Sequence, residues 1–503
     1  NKMRLSDYFG EDRSKRAFRP GRRMISNQLR SFIFVTLLLS AACDRRYAIE
    51  YSPAIGGFKF SADLKLSAVE MKADSVLNSM RRELLSRKGF DWSFFSSFSG
   101  HKAEIQNEAL YQVFKKMPKG GMLHIHASAT GDAQWIIDKA LSMPECYIFW
   151  SADNTQFVKG ELKFFPDHLI PAGFQPIQQL SSEDPLLSQK LFRLYTIGPE
   201  DDSIPDIWVE FEKVFSRVDN FISYRPVFKE HYRHAFEVLA SDRVQFVELR
   251  TSLDQILNED GTYTKDEALL DLYLGILAGI RTKYPAFDLC IIPNSWRGLS
   301  LEGVVSQLER VSRLKSEYPG MIVGFDLIGE EDGFHSNGFF SVALSNSPVP
   351  LFLHSGESLS LANTNIRDAL NMNAPRIGHG VNLFYFPDLE KTIISRGTLL
   401  EMCPVSNQAL RYVKDFRLHP DQGYLRNGVQ GTLGSDDPAF FQSCGLTDDY
   451  FVAYLAWGLD LRSVKKMLLN SITYSGMPDY SVQSQLSLFN KNWDGFIQYV
   501  NGL

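Results

Sequence analysis

Met122-Leu-His124-Ile-His126 is a short apolar run interrupted only by two histidines. It follows Lys116-Met-Pro118-Lys-Gly120-Gly121, where a proline and paired glycines punctuate the chain. An apolar run of this length, bounded by turn signals, reads as a buried strand. Side chains two apart in a strand share one face, so both imidazoles can reach a single ion. Alone, the pair reads more readily as two satisfied strand histidines. The rest of the chain decides between these readings.

Working outward, the same kind of run recurs. Strands are expected at Met122 to His126, Val244 to Leu249, Phe287 to Ile292, Ile322 to Leu327, Leu351 to His354, Arg376 to His379, Thr398 to Met402 and Gly431 to Ser435. Most are followed by a loop and an amphipathic pattern such as Glu302 to Leu314. That rhythm calls for parallel strands covered by helices. Eight repeats predict an α/β fold, a (β/α)8 TIM barrel spanning residues 119–503. Residues 50–118 read as an N-terminal helical extension suited to packing or dimerisation, and 143–205 as a long insertion after the first strand, near the mouth of the barrel.

Three further clusters lie at or just past the ends of predicted strands: Leu353-His354-Ser-Gly-Glu357, Arg376-Ile-Gly-His379-Gly and Gly434-Ser-Asp436-Asp437-Pro. In a barrel that end collects the catalytic groups. His124, His126, His354 and Asp436 offer nitrogen and carboxylate donors, a set suited to catalytic Zn²⁺ with an open position, although iron or another divalent ion also fits. Glu357 and His379 are then left to handle protons. Asp436 and Asp437 are like-charged neighbours. Binding one to a cation and leaving the other to hydrogen-bond resolves the conflict. The combination implies activated water, and so a hydrolase or deaminase.

The 503 residues are 44% hydrophobic and 22% charged, ordinary for a globular protein, and the net charge of -6 gives no reason to propose a nucleic-acid partner. Residues 1–43 read as a basic leader and signal peptide, with Met24 as an alternative start. The apolar stretch Ser31 to Ala42 falls short of the roughly 20 residues of a spanning helix. Its ending, Leu-Ser-Ala-Ala-Cys43, resembles a bacterial lipoprotein signal. The expectation is an exported protein, periplasmic or extracellular, tethered to a membrane through a lipid on Cys43. Cys146, Cys290, Cys403 and Cys444 fit no paired metal motif and read as buried thiols.

Longer stretches carry a resemblance. Met117-Pro-Lys-Gly-Gly-Met-Leu-His-Ile-His126, Phe246-Val-Glu-Leu-Arg250, Gly324-Phe-Asp-Leu-Ile-Gly329, Leu353-His-Ser-Gly-Glu-Ser358, Arg376-Ile-Gly-His-Gly380, Glu401-Met-Cys-Pro-Val-Ser-Asn-Gln408 and Gly434-Ser-Asp-Asp-Pro438 resemble the adenosine deaminase superfamily, specifically its secreted growth-factor branch. The resemblance implies one zinc on His124, His126, His354 and Asp436. It implies that Glu357 protonates N1 of an adenine nucleoside, and that His379 orients and deprotonates the attacking water. Asp437 would meet N7, the backbone of Gly329 would meet N3, Trp208 would line the ribose side, and the chain would form a homodimer. One position departs from the pattern. Where the branch carries a ribose-contacting aspartate after the second histidine, this chain has Ala127, with Ser128 and Asp132 as possible substitutes. The departure motivates a second reading, a modified adenine nucleoside or another aminopurine as substrate. The extra helical region motivates a third, an extracellular binding or signalling protein.

Overall fold

Among the described residues, eight parallel strands carry the fold: β1 (Gly120–His126), β2 (Val244–Thr251), β3 (Asp288–Trp296), β4 (Asp326–Ile328), β5 (Phe352–Ser355), β6 (Arg376–His379), β7 (Leu399–Met402) and β8 (Gln430–Leu433). The computed structural model describes residues 57–87, 89–443 and 445–503. The expected leader and lipid site at Cys43 therefore lie outside the described residues, as does Cys444. β1 to β4 pair in order, and so do β5 to β8. Single parallel bridges join the two groups, Phe325 with Leu351 on one side and Ile125 with Asp436 on the other. The result is a curled parallel sheet of TIM-barrel type with helices before and between the strands.

The strands are buried along nearly their whole length, as expected for a parallel sheet covered by helices. Each predicted run contains or overlaps an observed strand, with end shifts of a few residues. The largest difference is at β4, which forms a ladder only over Asp326–Ile328, although Ile322 makes an isolated bridge to Ile291. Gly324 lies between the two, and a Cβ there would come within 2.3 Å of the Phe352 ring. The chain passes so close to β5 at this point that regular pairing is interrupted.

Residues 143–205, expected as an insertion, lie between β1 and β2. They hold a three-stranded antiparallel sheet (Leu162–Lys163, Tyr147–Phe149, Phe174–Pro176) and the helices Ile177–Glu183 and Leu187–Tyr195. The helix Ile207–Ile222 follows. Its Phe211 stacks on Phe441 and its Phe215 meets Phe440 edge to face, with ring centroids 5.2 and 4.9 Å apart. This sets the helix beside the loop that follows β8. Within Asp153–Phe157 the chain makes a local turn, in which Asn154 Oδ1 accepts the N–H groups of Gln156 and Phe157 at 2.8 and 2.9 Å.

The N-terminal residues are helical, as expected. The helix Ala68–Ser86 opens with a capping box between Ser67 and Glu70. Glu70 also accepts from Lys465 Nζ at 2.6 Å and Trp493 Nε1 at 2.8 Å, tying this helix to the chain's own C-terminal helices. Cys146, Cys290 and Cys403 are buried free thiols. Among the described residues no helix is long and apolar enough to cross a membrane.

Candidate metal centre

β1 delivers His124 and His126 from one strand, β5 delivers His354, and the turn after β8 delivers Asp436. One ligand atom from each of these four buried residues lies within 4.8 Å of all the others. His124 Nε2 is 3.2 Å from His354 Nε2, and Asp436 Oδ1 is 3.3 Å from His124 Nε2 and 3.0 Å from His126 Nε2. Donor edges of this length surround a cation whose bonds are about 2.0–2.1 Å. Asp436 Oδ1 makes no hydrogen bond of normal geometry despite its burial. Three imidazoles and a carboxylate, converging with an orphaned oxygen, fit a divalent ion.

The backbone supports the convergence. Asp436 and His379 both adopt left-handed conformations, φ 58° and 65°, uncommon for residues with a Cβ and typical of functional sites. Bridging to Ile125 holds Asp436 in place, since His126 N–H donates to the Asp436 carbonyl at 3.0 Å and Asp436 N–H to the His124 carbonyl at 3.1 Å. Gly434 leaves room for His124, whose Cβ would lie 2.6 Å from any added Cβ.

A buried ionic layer lies behind the ligands. Glu401 Oε2 meets His124 Nδ1 at 2.8 Å, and Asp326 Oδ2 meets His354 Nδ1 at 2.7 Å. Each carboxylate fixes the outer nitrogen and so turns Nε2 toward the centre. Arg250 joins them, donating to Asp326 at 2.7 Å and Glu401 at 2.5 Å, while Arg376 donates to the other Glu401 oxygen at 2.6 Å. Burial works against the charge on both acids, but His354 and Arg250 hold Asp326, and Arg250 and Arg376 hold Glu401, well below the usual carboxylate range.

Glu357 and His379 stand beside this group, with His379 Nε2 3.6 Å from Glu357 Oε2 and 3.9 Å from Asp436 Oδ2. Burial, then the charges of Asp436 and Glu331, push Glu357 well above the carboxylate range. Glu331 pins the loop that carries it, accepting the N–H groups of Gly356 and Glu357 at 2.9 Å each. Asp437 is also pushed up, by burial and by Asp436, while Asp436 itself stays low through its histidine neighbours despite burial. Cys403 shares a second grouping with His379 and Asp436, but burial raises its thiol, which makes it a poor thiolate ligand.

The other residues expected from the sequence have these immediate neighbours. Gly329 follows β4 at φ 103°, and a Cβ there would collide with Trp296 at 2.8 Å. Trp208 is half-buried and donates Nε1–H to Tyr412 at 2.6 Å. Ala127 carries no acceptor on its side chain. Asp132 is committed elsewhere, to the N–H of Trp135 and to His234 Nε2, both at 2.7 Å. Ser128 instead neighbours Asp219 of the Ile207–Ile222 helix; burial pushes that carboxyl up to about 7, and Ser128 acts in the opposite direction.

Ser406 donates to Asp436 Oδ2 at 2.6 Å and Asn407 Nδ2 lies 3.3 Å from His379 Nδ1; the sequence singles out neither of them, nor Asp219, Tyr412 or Glu331. Arg250, Asp326 and Glu401 stand in it only as parts of longer motifs. For these three a signal was present: charged residues inside otherwise apolar strands, which burial permits only when they are paired.

The family model described as adenosine deaminase matches residues 200–490. The chain is 28% identical over 460 residues to adenosine deaminase 2 of Dictyostelium discoideum, covering 88% of this chain and 84% of that protein. Among solved structures, the apo N6-methyl-AMP deaminase of Arabidopsis thaliana superposes with a TM-score of 0.56 at 16% identity, over 76% of this chain and 98% of that one. An amidohydrolase from Burkholderia ambifaria with bound Zn superposes at 0.55 and 12% identity, over 78% and 95% of the two chains.

Proposed function

This chain belongs to the adenosine deaminase family, and from that premise we propose that it is a zinc enzyme converting adenosine and 2'-deoxyadenosine to the inosine forms with release of ammonia. We assign it to the secreted growth-factor branch, as an exported homodimer joined through the helical region before Pro118 and anchored by a lipid on Cys43. The carrying observation is the convergence of His124, His126, His354 and Asp436 beside Glu357. Bound there, zinc supplies Lewis acidity that brings ionisation of a water within reach near neutral pH.

The protein groups do the rest. Glu357, kept protonated by burial, donates to N1 of the purine as water adds at C6. N7 accepts hydrogen bonds only, so its partner must donate. Asp437, raised by burial and by Asp436, offers a proton there. The backbone of Gly329 meets N3, and Trp208 with Tyr412 closes the ribose side. His379 holds the attacking oxygen and stabilises the charge that develops on it. Of the attacking water's two protons, one passes to the C6 amino group, which leaves as ammonia as the C6 carbonyl forms, and the other restores Glu357.

The test is the fall of adenosine's ultraviolet absorbance with matching ammonia release, on protein beginning after Cys43 and holding one zinc. Silence at high enzyme concentration removes the proposal. A second reading, a modified adenine nucleoside or another aminopurine, is favoured by Ala127 and tested with a substrate panel. A wide preference for adenosine eliminates it.

A further inference from the structure

Behind His379 three buried residues lie end to end. His379 Nδ1 is 3.3 Å from Asn407 Nδ2, Asn407 Oδ1 is 3.2 Å from His419 Nε2, and His419 Nδ1 is 3.3 Å from the backbone nitrogen of Asp421. None of the four residues is more than 1% exposed.

The far end sets the direction of the whole row. A backbone nitrogen carries its hydrogen, so His419 Nδ1 must accept. A neutral imidazole has one donor and one acceptor nitrogen. Burial keeps His419 neutral, pushing it down to about 3. Its proton therefore sits on Nε2 and points at Asn407 Oδ1. The other end of that amide is an NH₂ group, which can only donate. It donates to His379 Nδ1, leaving the proton of neutral His379 on Nε2.

The carboxyl of Asp421 reinforces this order. Its Oδ2 is 3.4 Å from His419 Nδ1, and neither of its oxygens makes a hydrogen bond of normal geometry. Burial pushes this carboxyl well above the usual range. Protonated, it is a second donor toward the same nitrogen. An ionised Asp421 would reverse the row, but it would have to stay charged in a dry site with no partner of its own.

We propose that the Asp421–His419–Asn407 row fixes His379 as the Nε2–H tautomer, so that His379 meets the attacking oxygen as a hydrogen-bond donor and not as a proton acceptor. The inference rests on the hydrolytic reading above and refines the role of one residue in it. His379 Nε2 has no partner within the fold. A buried N–H waiting beside Glu357 is an anchor for developing negative charge. Asn407 and His419 are positioning residues.

The test is imidazole ¹⁵N–¹H correlation spectroscopy on the ¹⁵N-histidine-labelled zinc protein. The His379 signals are assigned among the ten histidines by their loss in His379→Gln, or by through-space contacts to His124. Pyrrole-type Nε2 with pyridine-type Nδ1 is expected, and the opposite pattern overturns the inference whether or not the protein deaminates adenosine. Asn407→Asp presents an acceptor to both rings. It should move the His379 proton to Nδ1 and lower kcat by about a hundredfold, with KM little changed and zinc retained. An unchanged tautomer and kcat in that variant also overturn it. Absence of deamination in the unaltered protein removes the hydrolytic reading but leaves the tautomer result standing.

Discussion

Arg250 Nε lies 2.7 Å from Asp326 Oδ2, the same oxygen that holds His354 Nδ1 at 2.7 Å. One buried carboxylate oxygen thus neutralises a guanidinium and orients a metal ligand. Asp326→Asn weakens both interactions. Metal affinity should fall about 10- to 100-fold, read by competition with a chelator. Stability should fall by about 3–5 kcal/mol, read by urea denaturation. Unchanged zinc retention would show that His354 is oriented by something else.

Glu357 lies outside the ligand set, so its replacement separates chemistry from metal binding. Glu357→Gln keeps the shape but cannot deliver an acidic proton. It should retain stoichiometric zinc and lose about 10²- to 10⁴-fold in kcat. Metal analysis and steady-state kinetics on one preparation check both halves, and loss of zinc would place Glu357 within the coordination shell.

Asp219 and Glu212 predict a stability slope. Burial raises both carboxyls to about 7 in the folded chain, from 3.8 and 4.5. Each folded carboxyl therefore keeps a proton that the unfolded chain has already lost. The contribution is complete below about pH 4 and declines as pH rises toward 7, by at most about 1.4 kcal/mol per pH unit for each group. Asp219→Asn and Glu212→Gln should each flatten the decline of the urea midpoint between those limits. A slope equal to that of the unaltered protein would show that these acids ionise freely.

Ala127 leaves the expected sugar-facing position without an acceptor, and Ser128 with Asp219 is the polar pair beside it. Asp219→Ala should raise KM for adenosine about fivefold, the effect of losing roughly 1 kcal/mol of hydrogen bonding. The purine base without its sugar should be affected much less. Equal effects on both would remove Asp219 from sugar recognition.

Period and punctuation made the strands legible. Met122 to His126 and Leu351 to His354 could be placed from apolar runs, because a doubly covered parallel strand has no polar face to disguise it. The metal donors were legible because several histidines and an aspartate, each at the end of a buried strand, need a shared cation to offset their desolvation. Asp219 and Asn407 were not. Asp219 sits on the helix that follows the insertion, and its arrival beside Ser128 depends on Phe211 and Phe215 packing against Phe441 and Phe440. Asn407 matters through which end of its amide faces His379, and residue order carries no record of that. The interruption of β4 was hidden for a similar reason, since it arises from the closeness of Gly324 to Phe352, a neighbour brought in by folding.

The bridge between Ile125 and Asp436 joins the first strand to the turn after the last. A ribosome that has released only the first half of this polypeptide has made two of the donors and lacks the other two. The four-donor cage cannot load its cation until synthesis has passed residue 436 and the two ends of the sheet have met. Metallation is then a late event in the making of the protein, and a product truncated before residue 436 lacks one wall of the four-donor cage.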